Sequence, residues 1–352
     1  MVAASATISP LRLFPSGTVA SAPTRGTAID AYGRAMTYLR ISLTDRCNFR
    51  CLYCMPAIGM KFQPKSEHLT DDELLRLVGL FEKTGVTKIR LTGGEPTIRP
   101  GLVELVRGIK SFPGIEEVSM TTNALLLGRM ADDLARAGLD RVNVSIDTLD
   151  PERFKMMTRG GRFDLVWQGI EAAEAAGIRP IKLNTVVVKD QNEDEVVDMA
   201  ALTLERPWQV RFLEIMPMEG VGDVHDEGLV TSEETQARLE AHFGPLQPLD
   251  VNPADPARGW KIPGAAGTIG FISPVSEPFC ETCNRVRLTA DGKLRLCLLR
   301  PDEGDLRDVM RAGASDDELE HAIRSAIWRK PWGHGLADGE RTTVRGMSQI
   351  GG

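Results

Sequence analysis

From residue 38 to residue 215 the chain repeats one unit: a short apolar run, a polar or glycine-bearing tip, then an amphipathic stretch of helical period. Strands are expected at 38–43, 88–91, 117–120, 141–146, 181–188 and 210–215. Helices are expected between them at about 70–83, 102–111, 130–137, 165–176 and 195–204. Thr70-x-x-Glu73 forms a capping box for the first helix, and Leu74, Leu75, Val78 and Phe81 recur at helical spacing behind it. Strands and helices alternating through short loops imply a parallel sheet. Such units fit an open doubly wound sheet or an incomplete barrel, and in either case ligands collect at the carboxyl ends of the strands.

Those ends are chemically distinctive. They read Thr44-Asp45-Arg46-Cys47, Thr92-Gly93-Gly94-Glu95-Pro96, Thr121-Thr122-Asn123, Ser145-Ile146-Asp147 and Glu214-Ile215-Met216-Pro217. Turn chemistry accounts for part of this polarity, but not for a cysteine triplet on the same rim. Every cysteine belongs to one of two triplets, Cys47-x3-Cys51-x2-Cys54 and Cys280-x2-Cys283-x13-Cys297. Three thiolates are one short of a closed zinc or iron–sulfur site, so each triplet suggests a metal centre with an open position. Zinc at the first triplet would need a fourth ligand, and the nearest histidine, His68, lies beyond a long loop. At the second, a Cys3His zinc site using His321 or His334 is the alternative.

If residues 284–288 are extended, Arg285 and Arg287 share one face while Val286 and Leu288 share the other. Two guanidiniums beside a metal centre would hold a polyphosphate, since arginine binds phosphate oxygens in pairs. The plainer alternative is a solvated strand face pairing with acids such as Asp291. Arg40 and Arg90 lie on strands, where an unpaired cation is costly and implies an anion or a buried partner such as Glu95. A net charge of −7 argues against bulk capture of nucleic acid, so an anionic ligand needs such a local basic cluster. No apolar run approaches the roughly 20 residues of a membrane span, and sparse cysteines in CxxC spacings suit a reducing, cytoplasmic setting.

Residues 1–35 are rich in Ala, Ser, Thr and Pro, with no acidic residue before Asp30, and are expected to form a disordered extension rather than a transit peptide. A barrel domain is expected over 36–245. The repeating pattern dissolves over about 218–270, apart from a helix at 232–243. A smaller module is expected over 246–340, with a helix near 316–328, followed by a flexible tail at 341–352 that ends in Gly351-Gly352.

The first triplet, with Tyr53 inside it and Gly93-Gly94-Glu95-Pro96 after the second strand, resembles the radical S-adenosylmethionine (SAM) superfamily. Adding the second triplet, the Arg-x-Arg and the terminal Gly-Gly, the chain resembles the GTP 3′,8-cyclase family of molybdenum-cofactor biosynthesis over 36–352. The resemblance implies an α/β fold: an incomplete (β/α)6 TIM-like barrel closed by a smaller C-terminal module. It implies two [4Fe–4S] clusters, one on Cys47, Cys51 and Cys54 and one on Cys280, Cys283 and Cys297, facing one cavity. SAM would be contacted by Tyr53, Gly94, Ser145 and Met216, with the glycines at 93 and 94 admitting its methionine end. GTP would be bound by Arg40, Arg90, Thr121, Lys182, Arg285, Val286 and Arg287, with Arg40, Arg285 and Arg287 serving turnover. The implied partners are GTP as substrate, an electron donor, a downstream enzyme that converts the cyclised nucleotide to the pyranopterin, and a second copy of the chain in a homodimer. No nucleic acid and no membrane are implied. A peptide-modifying radical SAM enzyme and a zinc-containing interaction module are the competing classes.

Overall fold

A computed structural model describes residues 22–56, 58, 60–217, 227–336 and 345–351. The expected extension at 1–21, the tail residues 341–344 and Gly352 lie outside the described residues. Six strands follow the sequence pattern: β1 (Tyr38–Ser42), β2 (Lys88–Thr92), β3 (Glu117–Thr122), β4 (Arg141–Ser145), β5 (Ile181–Val187) and β6 (Gln209–Glu214). Helices α1 (Asp71–Lys83), α2 (Leu102–Lys110), α3 (Ala131–Ala137), α4 (Pro151–Met157), α5 (Phe163–Ala175) and α6 (Val196–Glu205) fall between them.

Local chemistry sets these limits. The Thr70 hydroxyl accepts from the Glu73 amide at 3.2 Å while the Glu73 carboxylate accepts from the Thr70 amide at 2.9 Å, so α1 starts at Asp71. Leu74, Leu77, Val78 and Phe81 of α1 join Leu39, Ile41, Ile89 and Leu91 of the sheet in one buried cluster. Burying a side chain of this kind stabilises by roughly 1.5–3 kcal/mol. Helix α4 was not anticipated, although Asp150 caps it at the Arg153 amide and Pro151 opens it.

β1 to β6 pair in parallel and in chain order. The C-terminal half widens both edges: β9 (Thr268–Ile272) adds in parallel to β6, and β10 (Arg285–Leu288) adds in parallel to β1. Antiparallel strands β7 (Gln247–Pro248) and β8 (Arg258–Lys261) extend one edge, and β11 (Lys293–Arg295) with β12 (Glu303–Asp305) extends the other. The result is a single twelve-stranded sheet, a partial TIM-like barrel that crosses the expected boundary at residue 245 without a break. Residues 273–284 connect β9, beside β6, to β10, beside β1, and carry Cys280 and Cys283. The helices Ser232–Phe243 and Asp316–Trp328 lie where the sequence places them.

Two expectations of disorder are corrected. Within the expected extension, residues 22–35 include a bridge between Ile29 and Ala35, and Ala28 and Asp30 are buried. Backbone hydrogen bonds from Ala28 to Thr84 (2.7 Å) and from Ala31 to Trp328 (3.1 Å) tie this segment to the body. In the expected flexible tail, Met347–Ile350 is a helical turn, with Ser348 and Ile350 buried. Among the described residues, no helix is long and apolar enough to cross a membrane.

Candidate active site

The carboxyl ends of the strands open into a cavity of about 310 Å³ lined by all six cysteines. The loop after β1 carries the first triplet and is fixed from below by the unanticipated α4. The Arg50 amide donates to the Thr158 carbonyl (3.1 Å) and the Leu52 amide to the Met157 carbonyl (3.0 Å). A tight turn then presents Cys54, whose amide donates to the Cys51 carbonyl at 3.0 Å. Gly93 and Gly94 meet this loop backbone to backbone. Their amide strand lies against this loop, with Gly94 donating to Thr44 (2.7 Å) and Glu95 to Arg46 (2.8 Å). Gly93 has φ +137°, and a Cβ at Gly94 would run into the Arg46 carbonyl. The close approach to the cysteine loop by itself requires glycine at both positions.

Burial pushes the Cys47 thiol up to about 11 and the Cys54 thiol to about 12, with the neighbouring cysteines, Glu95 and Asp147 adding to it. Cys51 is raised well above its ordinary value by burial, then by Cys54 and Asp147. Three such groups become anionic together only around a strongly cationic centre. Among the described residues, no three His, Cys, Asp or Glu side chains converge closely enough to share one metal ion. His68 is engaged with Asp45 at 3.4 Å and His321 lies beside Ser325. The first triplet thus fits a polynuclear cluster, whose cysteines bind separate irons, better than a single zinc. At the second, His334 lines the cavity beside Cys280, its Nε2 unpartnered among the described residues, so a Cys3His arrangement is also available there.

Tyr53 donates to Asp147 at 2.7 Å, and burial lifts that carboxyl to about 6. Ser145 pairs in register with Asn184, and Met216 packs with Leu299 and Ile350. Among the described residues, no arginine pairs with Glu95. Its carboxylate accepts from Thr97, from the Thr122 hydroxyl at 2.6 Å and from the Asn123 amide at 2.7 Å, so it fixes the strand ends.

The second triplet lies in a more cationic setting. Burial pushes the Cys283 thiol up, but the charges of Lys330, Arg285 and Arg34 and the Arg285 backbone amide more than offset it. Above it stands a belt of cations in register: Arg40 on β1 between Arg90 on β2 and Arg287 on β10, with Arg285 opposite Tyr38. The Tyr38 ring lies between the guanidiniums of Arg90 and Arg285, at 5.3 and 5.5 Å. Burial, then Arg287 and Arg90, hold Arg40 well below its ordinary pKa. Burial holds Arg287 down at about 10. Asp291, the acid expected to neutralise such arginines, is instead held by Arg345 at 2.8 and 3.0 Å. Arg90 Nε, Thr121 Oγ1, Asn184 Oδ1 and Arg285 Nη1 are buried against the cavity without hydrogen-bond partners. Orphaned polar atoms at such a density point to a polar ligand.

Two expected substrate residues do not line the cavity. Val286 alternates away from Arg285 and Arg287 into the core. Lys182 sits beneath the belt, where burial and then Arg211, Arg141 and Arg90 lower its pKa to about 6. Arg211 and Asn184, absent from the expected set, do line the cavity. Burial and the neighbouring Arg90 and Arg141 bring Arg211 to about 9. Their signal lay in the alternation of polar and apolar residues along β5 and β6, where Asn184 and Arg211 stand in register. The tail enters the same cavity: the Gly351 carbonyl accepts from Arg287, and the Ser348 backbone amide faces the Cys54 sulfur.

Comparison with known proteins agrees with this arrangement. Residues 41–203 match the Radical SAM superfamily and residues 208–336 match Molybdenum Cofactor Synthesis C. A GTP 3′,8-cyclase from Heliobacterium modesticaldum is 49% identical, covering 92% of this chain and 100% of its own. A mitochondrial GTP 3′,8-cyclase from Arabidopsis thaliana is 41% identical over 94% of this chain and 85% of its own. Streptococcus suis SuiB bound to its precursor peptide shares the fold, with a TM-score of 0.59 at 14% identity over 88% of this chain and 69% of that one. The chain belongs to the GTP 3′,8-cyclase family of radical SAM enzymes, whose common equipment is a [4Fe–4S] cluster and SAM.

Proposed function

We propose that this chain cyclises GTP to (8S)-3′,8-cyclo-7,8-dihydroguanosine 5′-triphosphate, the first step of molybdenum-cofactor biosynthesis. One observation carries the reading: two open cysteine triplets and a belt of buried arginines line a single cavity. The first cluster with SAM would supply the 5′-deoxyadenosyl radical that takes hydrogen from C3′ of GTP, and the second would offer an open iron to the guanine.

The chain's own residues do the positioning. Cys47, Cys51 and Cys54 would hold the first cluster, and Cys280, Cys283 and Cys297 the second. Tyr53, Gly94, Ser145 and Met216 line the same cavity and would contact SAM there. Arg40, Arg90, Arg285 and Arg287 face one another and gain most from a polyanion, because a triphosphate would relieve their mutual repulsion and fill the unpaired donors of Arg90 and Arg285. Thr121 adds a hydroxyl and Arg211 a charge to the cavity lining, and Lys182, whose charge burial and then Arg211, Arg141 and Arg90 disfavour, would regain its proton as the triphosphate binds. Val286 would contribute through its backbone alone. The Tyr38 ring keeps two guanidiniums apart and oriented. An electron donor, an enzyme that takes the product on to the pyranopterin, and a homodimer complete the proposal.

Anaerobic incubation with reductant, SAM and GTP, followed by mass analysis of the nucleotide, tests it. A product isomeric with GTP, formed together with 5′-deoxyadenosine, is expected; unchanged GTP would refute the reading.

A further inference from the structure

The segment 330–334 roofs the second cysteine triplet. Lys330, only 4% exposed, donates to the carbonyl of Leu296, the neighbour of Cys297. A Cβ on Gly333 would lie 3.7 Å from the Cys280 sulfur, so backbone passes directly over that thiol. This roof is separate in sequence from the Cys280 loop beneath it, and something must hold the two together.

Arg34 does so. Its Nη1 donates to the Cys280 carbonyl at 2.6 Å and to the Trp332 carbonyl at 2.7 Å, and its Nη2 donates to the Pro331 carbonyl at 2.7 Å. Its Nε donates to the buried Asp30 carboxylate at 2.6 Å, and Asp30 also accepts from the Arg34 amide at 2.9 Å. The guanidinium lies against both the Tyr32 and Trp332 rings, at 5.4 and 5.2 Å, and the two rings pack edge-on against each other at 5.2 Å. A planar fork with five donors suits three carbonyls and a carboxylate at once, and lysine has no such geometry. The cost of burying this charge is offset by Asp30 and by the carbonyl dipoles, so the clamp is rigid.

We infer that Arg34, oriented by Asp30, is a positioning residue for the second metal site: it fastens the roof 330–334 to the Cys280 loop and so sets the environment of a cluster bound by Cys280, Cys283 and Cys297. The inference builds on the two-cluster reading. A buried cation near the cluster favours its reduced, more negative form, so removing it lowers the reduction potential.

The test uses the full chain, reconstituted anaerobically, as wild type, Arg34→Met, Arg34→Lys and Asp30→Asn. Iron and sulfide are counted, and the second cluster is followed by electron paramagnetic resonance during redox titration. Wild type should hold about eight iron per chain; about four would fail the two-cluster reading itself, whatever Arg34 does. Given eight, Arg34→Met should either fall toward four with the first cluster's signal retained, or keep eight with the second cluster's potential moved negative. Arg34→Lys should restore iron only in part, and Asp30→Asn, which keeps the cation but frees it from its orienting carboxylate, should lower iron at the second site while the first cluster's signal is retained. Eight iron in Arg34→Met with an unshifted second potential would overturn the inference. Loss of both clusters in Arg34→Met and in Asp30→Asn would also overturn it, since that marks general unfolding.

Discussion

Arg40 and Arg287 stand in register across the parallel β1–β10 pair, although 247 residues separate them in sequence, and Arg90 flanks Arg40 on the other side. Parallel pairing of a C-terminal strand with the first strand is what brings like charges into one row at the cavity wall. Such a row is unfavourable alone and strongly favours an anion.

Replacing Arg40, Arg285 or Arg287 by alanine should therefore leave both clusters in place and weaken GTP binding by about 10- to 100-fold, the loss of one charge-assisted contact of roughly 1.5–3 kcal/mol. Anaerobic equilibrium dialysis measures this. An unchanged Kd would place the triphosphate elsewhere.

Lys182 sets a pH dependence. Burial lowers its folded pKa from the ordinary 10.5 to about 6, so between those values the unfolded chain holds one more proton than the folded chain. Stability then rises with pH through that window. Lys182→Met should remove this slope and stabilise the ligand-free protein at pH 7.5, by at most about 4 kcal/mol. The same variant should bind GTP less well, and wild-type binding should take up a proton as the triphosphate recharges Lys182. Denaturant unfolding at several pH values and calorimetry in buffers of different ionisation enthalpy check the two halves.

At Gly94 a methyl group would meet the Arg46 carbonyl, which no side-chain adjustment relieves. Gly94→Ala should push the loop 44–47 outward and cut iron by about half, the loss falling on the first cluster. Full iron content with normal SAM cleavage would show that the loop tolerates the displacement.

The tail contact between Gly351 and Arg287 predicts that removing Gly351-Gly352 slows cyclisation at least tenfold while the thermal midpoint moves by only a few degrees. An unchanged rate would make the contact incidental.

Much of the barrel was legible because parallel strands buried on both faces carry strong apolar runs and their helices carry caps, as at Thr70 and Thr231. The edge strands were not. β9 is five residues broken by Gly270, and its identity as a strand depends on pairing with β6, a contact distant in sequence. The cysteines and the pair Arg285 and Arg287 were legible from spacing and alternation, and alternation also turns Val286 inward to the core. Arg211 and Asn184 were missed because a lone polar residue on a strand gains meaning only when neighbouring strands bring others beside it. The segment 22–35 was missed for a related reason: its small and polar residues bury little surface, and Arg34 holds it through carbonyls that sequence does not reveal.

The central claim, that nucleotide meets the second cluster, is tested most directly in a chain whose first triplet is replaced by alanines, so that one cluster remains. GTP added to this reduced protein should change the electron paramagnetic resonance signal of that cluster, with coupling to nitrogen when the guanine carries ¹⁵N. A signal indifferent to GTP would contradict the account.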